Sequence, residues 1–226
     1  FFIHCVLSAL ELLTKNKMKL NEQLNMILLK EARDHAAHLL EIPTRHITDS
    51  AAARCAGGPH DFYSEGDYWH PNPDTPDGLP YIRRDGETNP HYFADHRAVM
   101  RNTMLIAGNL AAAYQATGDK IYASRSVEHL KEFFLDKETR MAPNMKYAQA
   151  IPGICEGRGI GLIDTVHLIE IGKIVDALKS SEAMSDDITV GLKTWFSEFL
   201  HWMRTHEYGI KEMNEHNNHA TAWFLQ

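Results

Sequence analysis

Apolar residues recur at steps of three and four in five stretches of the chain, the pattern of helices that turn one face to a core. In the first, Leu24, Ile27, Leu28, Ala32, Ala36 and Leu39 form one stripe, and Pro43 follows to end it. The second runs from about Phe93 to Thr117. Gly118 stands where a left-handed C-terminal cap belongs, and Asp119 can cap a third helix, about Lys120 to Leu135, directly. So tight a junction predicts an antiparallel helix pair. The fourth covers about Ile160 to Ser180 and sets Asp164 and His167 on one face. The fifth starts after Ser185, carries Ile188, Leu192, Trp195, Phe196, Phe199 and Met203 on one side, and stops at Gly209. A further helix opens at Asn217 or Asn218. Strand-like alternation is almost absent, so the predicted class is all-α, built from helix pairs.

Two long stretches carry no such period. The first, about Thr44 to Pro90, holds most of the prolines and many glycines and aromatics; the second is about Asp136 to Gly159. Long loops inside a compact domain are usually functional or disordered, and the aromatic content of the first argues against disorder. The apolar run Phe1 to Leu13 is too short to span a bilayer. It reads as a first helix with Glu11 on its polar side, or as the remnant of an export signal. The expected division is therefore an extension or signal remnant over 1–21 and a helical domain over 22–226.

Composition narrows the function. A formal charge of −7 supplies no global basic field for nucleic acid or an anionic membrane, so a polyanionic ligand would have to meet local cations in a cleft. Histidine is abundant, with 14 copies. Cys5, Cys55 and Cys155 are far apart and form no CxxC pair, which reads as buried or incidental thiols.

Three segments concentrate the chemistry. EMNEHNNHATAWF, Glu212 to Phe224, places Asn217, Asn218 and His219 where a loop meets a helix. Such a terminus can receive a carboxylate, with a neutral imidazole beside it to remove the neighbouring proton; the alternative is a plain N-cap with surface polar residues. GDYWHPNP, Gly66 to Pro73, followed by Tyr81, Arg83 and Arg84, offers flat faces for sugar rings and guanidinium groups for carboxylates. Its alternative is an ordered proline-rich loop pinned by its aromatics. EGRGIGLIDTVH, Glu156 to His167, sets Arg158, Asp164 and His167 in apolar surroundings; here the alternative is a helix start with a buried Asp–His hydrogen bond. GRGIG lacks the spacing of a dinucleotide fingerprint. His216 and His219 stand at H-x-x-H spacing near Glu212 and Glu215, but a second ligand cluster and an HExxH are missing, and no GxSxG is present. No metal and no cofactor are expected.

With these residues in view, the stretch from about Leu24 to Gln226 resembles the alginate lyase superfamily with an (α/α) toroid fold. The carriers are NNHATAWF at 217–224, FYSEGDYWHPNP at 62–73 and GRGIGLIDT at 157–165. The pattern is nearer the Bacteroides-type lyases for alginate or glucuronan than the smaller mannuronate-specific ones. The resemblance implies β-elimination on an acidic polysaccharide by a periplasmic or secreted enzyme, with no metal, no nucleic acid partner and no membrane insertion. Asn218 would neutralise the uronate carboxylate, and His219 would act as base or neutraliser. His167, Arg158 and Asn217 would belong to the cleft, with Tyr68, Trp69 and Arg84 binding substrate. In the family an Arg and a catalytic Tyr follow the Asn–His pair by some tens of residues. They are expected beyond Gln226, or Tyr68, Tyr81 or Tyr208 substitutes for the Tyr. The toroid is thus expected to be incomplete, an open arc with apolar surface exposed near Trp223. Two other readings stay open: a glycoside hydrolase using Asp67 and Asp164, and a polysaccharide-binding relative without activity.

Overall fold

The computed structural model describes residues 2–216 and 218–224, with side chains from Lys17 onward apart from Met18, Leu28, Ala32 and Phe224. Asn217, Leu225 and the side chain of Cys5 therefore lie outside what is described. The chain is mostly helical. Helix α1 (Phe2–Leu40) is followed by a loop region with short strands, then α2 (Asp95–Thr117) and α3 (Lys120–Phe134), a second loop, and α4 (Ile171–Leu178), α5 (Asp186–Thr205), α6 (Glu207–Asn214) and α7 (Thr221–Phe224). No described helix is long and apolar enough to cross a membrane.

The α2–α3 junction forms as its residues dictate. Gly118 takes φ 72 and its N–H returns to Tyr114 O, while the Asp119 carboxylate accepts from the Ile121 N–H at 3.1 Å. The Ser126 hydroxyl then donates to Ala107 O at 2.7 Å, which draws the two helices together. Ser185 stands at the N-cap of α5 without a side-chain cap bond, and the apolar face of that helix supplies Leu192, Trp195, Phe199 and Met203 to the core. There Trp195 packs on Phe134 at 4.7 Å and stacks on Phe199 at 5.5 Å, and its indole N–H donates to Met141 O.

Helix α1 runs from Phe2 to Leu40 without a break; of the described positions of its stripe, Ala36 and Leu39 are buried with Leu110, Ala113 and Tyr122, while Leu24 and Ile27 are more than half exposed. Three expectations need correction. The stretch from 160 to 180 is not one α-helix. It is 3-10 over Gly159–Thr165 and Leu168–Glu170 before α4 begins. Its glycines pack closely: a Cβ on Gly159 would lie 2.8 Å from Tyr208 O and one on Gly161 2.5 Å from Ala148 Cβ. Gly209 does not end α5. The helix ends at Thr205 with His206 extended, and Gly209 lies inside α6, pressed so tightly on α5 that a Cβ would stand 2.0 Å from Met203 O. Finally, Trp223 is half-buried rather than exposed: it packs on Phe199 at 5.0 Å and its N–H donates to Thr165 Oγ1.

The two long loops are fastened to each other. β1 (Tyr63–Glu65) pairs in parallel with β4 (Tyr147–Ala150), and β2 (Trp69–His70) pairs antiparallel with β3 (Ile82–Arg83). Ala142 N donates to His60 O, and Tyr81 N to Pro152 O. Below them Arg54 forks onto buried Glu65, which also accepts from the Tyr63 hydroxyl and the Phe93 N–H. Burial works against the Glu65 charge, but these donors outweigh it and hold the carboxyl below its ordinary range. Cys55 and Cys155 are free, half-buried thiols.

Candidate active site

The fastened loops and the 3-10 segment enclose a cleft of about 540 Å³. Tyr68 and Trp69 come from β2 and the turn before it, Arg83 from β3, Arg97 and Arg101 from the first turns of α2, and Arg158 and His167 from the ends of the 3-10 segment. Asp67 and Asp164 complete the charged lining. Four guanidinium groups thus face two carboxylates in a chain whose total charge is −7. The local cations that a polyanion would require are present.

Gln149 fixes the floor. Its φ of 55 is the one positive value for a non-glycine among the described residues. Its N–H donates to Ser64 Oγ at 2.8 Å, while its carbonyl accepts from Arg158 Nε at 2.7 Å and its side-chain oxygen from Arg158 Nη2 at 3.2 Å. These bonds hold a conformation that the backbone alone disfavours. They also aim Arg158 past Gly66, where a Cβ would meet Trp69 Cδ1 at 2.6 Å and Arg158 Nη2 at 2.9 Å. Only glycine at 66 lets the indole and the guanidinium lie side by side. Burial pushes the Arg158 guanidinium down from its ordinary pKa, as expected for a cation with little water around it.

Arg97 organises the acidic side. It donates to both Asp67 oxygens at 3.0 and 3.2 Å, and its Nε lies 2.9 Å from Asp164 Oδ1 without directing its N–H at that oxygen. Burial opposes the Arg97 charge, yet Asp164 and Asp67 together raise its pKa. Asp164 is itself buried and accepts from Ser64 Oγ at 2.6 Å and Gln149 Nε2 at 3.4 Å; burial raises its pKa against these donors. Its bonds therefore go to Ser64, Gln149 and Arg97, and the Asp164–His167 pair predicted on a shared helix face does not form. The first 3-10 segment ends at Thr165, and the half-buried His167 lies beyond it on the cleft wall with no side-chain hydrogen bond among the described residues.

A second recess of about 340 Å³ adjoins the first, with Arg158 and Ile160 lining both. Its far side is His219, with Asn218, His216, Lys211, Glu212 and Glu215. Trp69 and His219 thus line neighbouring recesses that have Arg158 in common. Buried Glu212, on α6, accepts through Oε1 from both the backbone N–H and Nδ1 of His219, each at 2.8 Å. A carboxylate can only accept, so Nδ1 carries a proton, and in the neutral ring Nε2 keeps its lone pair. Among the described residues no group of three His, Cys, Asp or Glu is placed to hold a metal ion.

One predicted site residue lines the recess with its carboxamide already bonded, and another lies outside the cleft. Asn218 was expected to present its carboxamide to a carboxylate, but both ends are occupied. Nδ2 donates to Glu215 O at 3.0 Å and Met213 O at 3.4 Å, and Oδ1 caps α7 by accepting from the Thr221 N–H and hydroxyl. Arg84 does not line the cleft, whereas Arg83 does. Arg83 stands opposite Trp69 in the β2–β3 pair, and the pleat turns its neighbour away. Arg97 and Arg101, missed from sequence, were signalled by their spacing of four at the start of α2. Gln149 and Ser64 had no local signal.

A family model described as alginate lyase matches residues 47–226, a stretch that contains the whole cleft and recess. The chain belongs to the alginate lyase family. It is similar to the crystal structure of an alginate lyase from Bacteroides ovatus, with 34% sequence identity and a TM-score of 0.79. The likeness covers 86% of this chain and 52% of that one, so the chain spans about half the length of this relative. None of the curated proteins matches. The two recesses and their shared Arg158 thus lie in the part of the chain that the alginate lyase family model covers.

Proposed function

We propose that the chain carries the anion-binding and base-bearing side of a polysaccharide lyase that cleaves alginate, or a related polyuronate such as glucuronan, by β-elimination. The observation that carries this reading is the His219 imidazole, with Nδ1 held by Glu212 and Nε2 left as acceptor beside Arg158. The uronate carboxylate pairs with Arg158, supported by the other cleft arginines, which acidifies the C5 proton. His219 Nε2 removes that proton, and the C5–H electrons form the C4–C5 double bond as the C4–O4 bond breaks. The departing O4 takes a proton from a tyrosine hydroxyl. Tyr68 is the tyrosine that lines the cleft, and Trp69 offers a sugar ring its flat face. His167, unpartnered on the same wall, is placed to bind the neighbouring residue of the polymer.

Family membership and the Bacteroides ovatus alginate lyase support the substrate class. The helix pairs are read as part of an (α/α) toroid, and a polymeric uronate substrate fits a periplasmic or secreted enzyme. Hydrolysis by Asp67 and Asp164 fits less well, because both carboxylates are bound by Arg97 and Asp164 is buried under Ser64 and Gln149. The test is His219→Ala in the full-length protein. Turnover of polymannuronate should fall by about 10²–10⁴-fold with the fold retained, since Glu212 still has the backbone N–H of residue 219. A near-normal rate would remove His219 from the reaction.

A further inference from the structure

We infer that Glu212 is the positioning residue that sets the tautomer and orientation of His219, an inference that rests on the lyase reading for its kinetic consequence but not for its structural one. Glu212 is 4% exposed and lies on α6, seven positions before His219. A buried carboxylate needs donors, and this one finds two on a single residue, the backbone N–H and Nδ1–H of His219. The two bonds share Oε1, so the ring cannot rotate about its side-chain torsions without losing one of them. Two close glycine contacts also brace α6. Gly159 packs so closely that a Cβ would lie 3.3 Å from Glu212 N, and Gly209 locks the start of the helix against Met203. Glu212 thus stands on a braced helix, while His219 stands in a turn whose backbone it ties down. Arg158 precedes Gly159 directly, so the same contact that braces α6 places Arg158 in the recess that His219 also lines. The carboxylate also balances the positive charge that His219 acquires when it takes a proton.

Two measurements on the full-length protein test this. In ¹⁵N spectra of the imidazole, identified by its loss in His219→Gln, the wild type should show a protonated Nδ1 and an unprotonated Nε2 at neutral pH, and Glu212→Ala should lose that preference. In steady-state kinetics on polymannuronate, near-isosteric Glu212→Gln should lower kcat about 10- to 100-fold while KM changes less than about twofold and the melting temperature holds. A wild-type ring protonated at Nε2, a tautomer indifferent to Glu212→Ala, or a Glu212→Gln enzyme with wild-type kcat would each overturn the inference. If the wild type turns over no polyuronate, the lyase reading fails and the spectra alone decide the positioning role.

Discussion

Arg158 shows how much a single side chain can join: its guanidinium lines both recesses and grips Gln149 from two nitrogens. Lysine keeps the charge but not the fork. Arg158→Lys should therefore lower kcat/KM on polymannuronate by about 10-fold or more, and Arg158→Ala further, as steady-state assays would show; equal activity of the lysine variant would mean that charge alone suffices. Asn218 acts differently, since its carboxamide closes the turn before α7. Its alanine variant should lose order in residues 215–221, read by hydrogen exchange, along with any loss of rate. Away from the cleft, His129 is buried with no hydrogen-bond partner among the described residues, and burial, helped by Arg125, lowers its pKa to about 4. The unfolded chain takes up this proton near 6.5 and the folded protein resists it. Stability is thus fully present above about 6.5 and falls as pH drops towards 4. A His129→Leu variant should flatten that limb of the melting temperature against pH, and an unchanged slope would show that other groups produce it.

At the scale of elements, the helices whose ends are set by their own residues were legible in the sequence. Gly118 and Asp119 fixed the α2–α3 corner, and the stripe from Ile188 to Met203 fixed the inner face of α5. Elements shaped by distant contacts were not. Gly159 and Gly161 look like the opening of an α-helix, yet they pack against Tyr208 and Ala148 in a stretch that takes 3-10 form. Gly209 looks like a stop signal but is the contact that lets α6 fold back on α5. Gly209→Ala should therefore destabilise the protein by about 1–3 kcal/mol, seen as a lower melting temperature, and it should loosen the recess because Glu212 rides on the same helix. Retention of the wild-type midpoint would show that the corner can open at little cost. The site divides in the same way. Tyr68, Trp69, Arg158 and His219 stood out by residue type and motif, whereas the choice of Arg83 over Arg84 depends on strand register and the Arg97 pairing with Asp67 and Asp164 on the tertiary fold.

For the molecule as a whole, helices form the scaffold and loops form the site. The core of α2, α3 and α5 supports two long loops, and their pairing through β1 and β4 brings a cationic cleft to the surface of an acidic chain. That contrast suits an anionic polymer, with local arginines drawing in a ligand that the net charge would repel. The arrangement around Arg158 and His219 is suited to taking a proton from carbon next to a carboxylate, not to activating water between two free carboxylates. The most direct test follows the product of the full-length protein on polymannuronate, polyguluronate and glucuronan, recording ultraviolet absorbance and new reducing ends together. β-Elimination predicts that each cut adds one unsaturated uronate, so that on at least one of these polymers the two signals rise in step. Reducing ends that appear without absorbance would establish hydrolysis and contradict the account, as would binding of all three polymers with no product released.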